Sequence, residues 1–79
     1  MPDPDPGLMR EARELRLAAD ALEVCFGRSR RLAGSIAWQG PHAARTRDAL
    51  DRTVMETRRL AVRLREAADE RERRARTAG

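Results

Sequence analysis

The chain has 79 residues, 17 of them basic and 13 acidic, for a formal net charge of +4. Leu, Ile, Val and Phe together number only 13, too few for a self-sufficient core, which argues against a monomeric globular enzyme. Charged residues make up 38% and aromatics 3%, a balance that gives disorder unless the few apolar side chains fall in a strict helical period.

At the start, Pro2, Pro4 and Pro6 alternate with Asp3 and Asp5. Proline blocks helix both at its own position and at the one before it, so residues 1–7 are expected as a disordered, extended leader. That leader has neither a positive n-region nor an apolar h-region, and no later stretch approaches the roughly 18 apolar residues of a membrane span. Neither Sec export nor membrane insertion is expected.

From Leu8 the apolar or small positions run Leu8, Ala12, Leu15, Ala19, Leu22, Phe26, Ser29, Ala33, Ile36, in alternating steps of four and three. This predicts a first helix over 8–38, interrupted only by Gly27. Trp38, Gln39, Gly40 and Pro41 then form the strongest break in the chain. Glycine closes a helix in the left-handed conformation, and proline suits the first turn of the next, so a turn is expected at 39–41. The second stripe, Ala43, Arg47, Leu50, Val54, Thr57, Ala61, Leu64, Ala68, Arg71, Ala75, predicts a helix over 41–75 with a frayed tail after Ala68. Residues 8–79 thus form one domain.

A short connection makes the helices antiparallel, so facing residues should have numbers summing to about 80. Phe26 then faces Val54, Leu22 faces Thr57, Ala19 faces Ala61, Leu15 faces Leu64 and Ala12 faces Ala68. Paired alanine layers let the backbones approach to about 8 Å. Two helices bury one stripe each, and apolar residues remain beside it. Ala18, Cys25 and Leu32, with Thr53, Leu60 and Ala67, form one expected lateral face. Leu17, Val24, Met55 and Val62 lie further round and match by the same rule. A partner hairpin covering these residues would complete a four-helix bundle, so the fold expected is all-α, an antiparallel helix-turn-helix hairpin pairing as a dimer.

The surplus charge is spread along both helices rather than gathered in an arm. Asp48 and Arg52, Asp69 and Arg73, Glu70 and Arg74, and Glu72 and Arg76 stand four residues apart with the acid first, the favourable order. A single cysteine excludes an intrachain disulfide and a cysteine-based zinc cage, and Cys25 is expected as a small buried hydrophobe. His42 has no second histidine or carboxylate cluster at ligand spacing, and the acids sit singly among arginines. No cofactor, metal or acid/base pair is expected.

Trp38-Gln39-Gly40 at the midpoint of a short helical chain, between two heptad stripes and before Pro41, resembles the WXG superfamily of small early-secreted-antigen-like proteins of type VII (ESX) secretion. The likeness spans about residues 8–75. It implies a hairpin without catalytic residues that pairs with itself or with a paralogous WXG-type hairpin and leaves the cell folded without a Sec signal peptide, having been cytoplasmic before export. It also implies engagement of the secretion ATPase through the partner. Trp38 is then both a plug over the turn and a candidate docking residue. Many members carry a Tyr-x-x-x-Asp/Glu signal after the second helix; this chain has no Tyr, so the signal is expected from a partner, unless this member is not itself exported. The use of Arg without Lys, and the absence of Asn and Tyr, fit a GC-rich coding sequence and an actinobacterial source.

The alternative is a basic hairpin adaptor or nucleic-acid-binding protein, motivated by the cluster Arg71, Arg73, Arg74, Arg76. Asp69, Glu70 and Glu72 interrupt that cluster, and no aromatic is placed for base stacking, so this is the weaker reading.

Overall fold

The computed structural model describes residues 3–35 and 40–78. Two helices account for nearly all of them, α1 (Pro6–Ser35) and α2 (Gly40–Ala78). They run antiparallel as a hairpin, forming a rod of 63 × 16 × 13 Å. Trp38, Gln39 and Ile36 lie outside the described residues.

The two stripes bury as their spacing requires. Ala12, Ala19 and Phe26 on α1 and Ala61, Ala68 and Ala75 on α2 are buried, each set at intervals of seven, together with Ala43. Leu8, Leu15 and Leu22, and Leu50, Val54, Thr57 and Leu64, are half-buried at the intervening positions. Ser29 and Arg47 are exposed, so the stripes loosen toward the turn. Apart from Phe26, every buried side chain among the described residues is alanine. A methyl-lined seam lets two backbones approach closely, but it removes little apolar surface from water.

The terminal end is more ordered than the alternating prolines and the fading stripe imply. Helix α1 begins at Pro6 rather than Leu8, because a proline at the first helical position loses no hydrogen bond. Asp5 caps it. Its Oδ1 accepts from the N–H groups of Gly7 at 2.9 Å and Leu8 at 3.3 Å, and its carbonyl accepts from Met9 N–H at 3.1 Å. The Asp5 N–H donates in turn to the carbonyl of Ala75 at 3.2 Å. Ala75 is one of the last four residues of α2, whose carbonyls lack partners within their own helix, so this bond satisfies one of them. Ala75 itself is fully buried, and α2 continues to Ala78. The final turns, expected to fray, therefore pack against the start of the chain.

At the opposite end Gly40 has φ of 85° and Pro41 follows it in the first turn of α2. A Cβ at Gly40 would meet nothing within 4 Å, so a side chain there is opposed by backbone conformation alone. Gly40→Ala should lower hairpin stability by about 1–2 kcal/mol, the cost of a left-handed L-residue. Asp5→Ala should cost about 1 kcal/mol for the lost cap. Urea titrations of both variants check these values; an unchanged midpoint for Gly40→Ala would contradict the positive φ.

Candidate functional site

The buried positions fix the register around each helix. A residue one or four places after a buried one falls on one flank of the hairpin, and a residue one place before falls on the other. The two flanks are chemically unlike.

The first flank carries two reciprocal forks. Arg16 Nη2 bridges Asp69 at 2.8 Å and Glu72 at 2.8 Å, while Arg65 bridges Asp20 at 3.0 Å and Glu23 at 2.6 Å. In each fork an arginine four places after a buried alanine reaches across to an Asp and a Glu one and four places after a buried alanine of the other helix. The hydrogen bond from Arg65 holds the Glu23 carboxyl below its ordinary 4.5, and the same bond raises the Arg65 guanidinium. Arg16 is raised likewise, first by Asp69 and then by Glu72. Arg16, Arg65 and Glu72 are half-buried and the other carboxylates exposed, so the value of the forks lies more in fixing which helix faces meet than in raw stability.

Sequence reading missed both forks because it searched for acid–base pairs within one helix. Their signal was a repeat: Leu15-Arg16-Leu17-Ala18-Ala19-Asp20-Ala21-Leu22-Glu23 matches Leu64-Arg65-Glu66-Ala67-Ala68-Asp69-Glu70-Arg71-Glu72 at Leu, Arg, Ala, Ala, Asp and Glu. The same cassette occurs once per helix, and antiparallel packing sets each arginine over the other cassette's acids. Of the four pairs expected within a helix, Glu72 and Arg76 approach at 3.9 Å. Asp69 turns instead to Arg16, and Arg73 bonds Glu70 at 2.7 Å, which lowers the Glu70 carboxyl. Asp48 with Arg52, and Glu70 with Arg74, form no pair among the described residues. Further along the flank Arg30 and Arg58, each four places after a stripe residue, line a notch with Glu23, Phe26 and Gly27. Arg58 adds to Arg65 there in holding the Glu23 carboxyl down.

The second flank is apolar along its middle, and at its terminal end Arg71 reaches across to Glu11 at 3.6 Å. Ala18, Cys25 and Leu32 on α1 and Thr53 and Leu60 on α2 are exposed, and Ala67 is half-buried. Cys25 was expected inside; it immediately precedes Phe26, and that single step turns its thiol onto this flank. Leu17, Val24, Met55 and Val62 are also exposed but do not form a common face. Leu17 and Val24 stand five places after Ala12 and Ala19, on the side of α1 away from α2, whereas Met55 and Val62 follow Val54 and Ala61 onto the fork side of α2. Residue numbers that sum correctly place them at matching heights, not on matching sides. Of the turn motif, Gly40 and Pro41 are exposed at the start of α2, and Trp38 lies outside the described residues.

Among the described residues no group of three or more His, Cys, Asp and Glu is placed to hold a metal ion, and no helix is long and apolar enough to cross a membrane. Comparison with known proteins gives no match to a family model, to a curated protein or to a solved structure.

Two outcomes follow from the charged flank. Arg58→Glu turns the attraction between Arg58 and the Glu23 carboxylate into repulsion, so the melting temperature should fall at low salt and the loss should shrink near about 1 M salt, where screening acts within about 3 Å. Glu23 and Glu70 have lowered folded-state values, so their contribution is fully present above the ordinary 4.5 and is lost as pH falls through those lower values. Thermal melts below pH 4.5 should therefore show a smaller acid loss for Arg65→Gln than for the wild type; parallel acid limbs would contradict the Arg65–Glu23 coupling.

Proposed function

We propose that this chain is a non-enzymatic protein-interaction hairpin of the WXG type, working as a pair with a second hairpin and exported in folded form by a type VII secretion system. The observation that carries the pairing is the surface the hairpin leaves in water. A folded monomer of this mass exposes about 4,800 Å² by the usual scaling with size. This chain exposes 6248 Å². The excess is roughly 1,400 Å², against about 800 Å² that each partner buries in a standard interface. Leu17, Val24, Leu32, Met55, Leu60 and Val62 are between 45% and 64% exposed, bulky apolar side chains that the hairpin leaves largely in water.

Support for the WXG reading comes from the position of the motif. Trp38 and Gln39 fall between the last residue of α1 and the first of α2, and Gly40 adopts the left-handed conformation that the chain reversal uses. Secretion, the ATPase contact made through the partner and the actinobacterial setting rest on this resemblance. A second reading, a basic adaptor or nucleic-acid-binding hairpin, draws on Arg45, Arg52 and Arg59, exposed seven residues apart along the outer side of α2.

Sedimentation at micromolar concentration should show a dimer, either of this chain or with a co-expressed paralogous hairpin. In a host with an active type VII system the pair should reach the medium, and inactivating the secretion ATPase or introducing Trp38→Ala should retain it in the cell. Export that ignores the ATPase would refute the secretion reading. Duplex DNA binding that collapses steeply with rising salt would favour the second reading.

A further inference from the structure

We propose that the turn half of the rod is a binding surface for duplex nucleic acid, with the side of α2 that faces away from α1 laid against the phosphate backbone. This narrows the basic-hairpin reading to a place on the molecule and a partner chemistry, and it does not rest on pairing or export.

Each helix carries part of the surplus charge, and the hairpin brings both parts to one end. The half of the chain around the turn, residues 21–59, contains eight arginines and four acids and so carries the whole net charge of +4. The terminal half is neutral. No acid stands between Glu23 and Asp48. The ion pairs sharpen this division. Every one among the described residues is held by an arginine of the terminal half, namely Arg16, Arg65, Arg71, Arg73 or Arg76. Glu23, an acid of the turn half, is itself taken by Arg65. Arg28, Arg30 and Arg31 on α1 and Arg45, Arg52 and Arg59 on α2 are exposed and hold no ion pair among the described residues. Arginines crowded into half a rod without partners repel one another, and a bound polyanion relieves that repulsion.

The shape of the surface selects the polyanion. Arg45, Arg52 and Arg59 each lie two places after a stripe residue, Ala43, Leu50 or Thr57, and so point away from the seam. At 1.5 Å per residue they form a straight row about 21 Å long, with Arg58 to one side of it and Arg63 to the other. A row that long and straight suits a rigid duplex, whose major groove, about 12 Å wide, admits an α-helix. Guanidinium forks pair phosphate oxygens two at a time. Asp48 and Glu56 stand beside the row and limit it to a few phosphate contacts, which position the protein without reading sequence. Single strands are held by stacked bases, and the described turn half exposes no Phe, Tyr or Trp side chain, Phe26 being buried. A helix lying on a lipid surface uses a row of bulky apolar anchors, and Met55 is the only one beside these arginines. The row faces away from both flanks, so a partner hairpin on the apolar side leaves it open.

Fluorescence anisotropy of a short mixed-sequence duplex DNA, titrated with the full-length chain over a range of salt, tests this. The wild type should bind with a log–log salt slope of about −3 or steeper, since each phosphate neutralised contributes about −0.9. The triple variant Arg45→Gln, Arg52→Gln, Arg59→Gln should make that slope shallower by about 2 to 3. A second triple, Arg10→Gln, Arg13→Gln, Arg74→Gln, removes the same charge from exposed positions of the terminal half that hold no ion pair among the described residues, and should keep the wild-type affinity and slope. Glutamine is a good helix former, and circular dichroism of both triples checks that the hairpin persists. Equal losses from the two triples would overturn the turn half as the site while leaving a basic hairpin that binds by net charge alone. A wild type that ignores the duplex at low salt, prefers single-stranded DNA, or binds phosphatidylglycerol vesicles in place of the duplex would overturn the partner. Pairing and export are read by sedimentation and secretion, so their failure is separate from any of these results.

Discussion

The close approach of α1 and α2 on alanine is the constraint from which the other features follow. With Ala12, Ala19, Ala61, Ala68 and Ala75 filling the seam, little but methyl groups separates the backbones over the terminal half of the rod. Such a seam is geometrically exact but weak as a hydrophobic core, since each alanine removes little surface from water. Larger apolar residues are left at its edges or outside it. The hairpin has a well-defined shape and an unfinished surface, and both have the same cause.

Because alanine layers look alike, something else must set register and rotation. The reciprocal forks do this. Arg16 on Asp69 and Glu72, and Arg65 on Asp20 and Glu23, can form together only when the helices are antiparallel and at one height. The Asp5 bond to Ala75 sets the same height from the terminal end, and Gly40 sets the reversal at the other. Placing both forks on one flank leaves the middle of the opposite flank apolar, with the single Glu11–Arg71 pair at its terminal end.

Much of the fold was legible because period, breaker and stripe agree. The four-and-three spacing from Leu8 and from Ala43, broken at Gly40-Pro41, predicts two antiparallel helices, and the buried alanines fall at the predicted heights. What was not legible depends on three-dimensional direction. Asp5 reads as part of a proline-rich leader until its carboxylate is seen to cap α1. Arg16 and Arg65 read as ordinary surface charges until the helices are set face to face. Met55 and Val62 match Leu17 and Val24 in height, yet height says nothing of side, and the structure separates them. Cys25 reads as core by residue type, whereas its place next to Phe26 turns it outward.

The proposed function requires that the hairpin be completed by another helix pair rather than stable in isolation. Thermal unfolding across a hundredfold range of protein concentration tests this most directly, because folding coupled to association makes the midpoint depend on concentration. The account predicts a midpoint that rises steadily with concentration, in a single transition. A cooperative transition whose midpoint stays fixed across the whole range would contradict it.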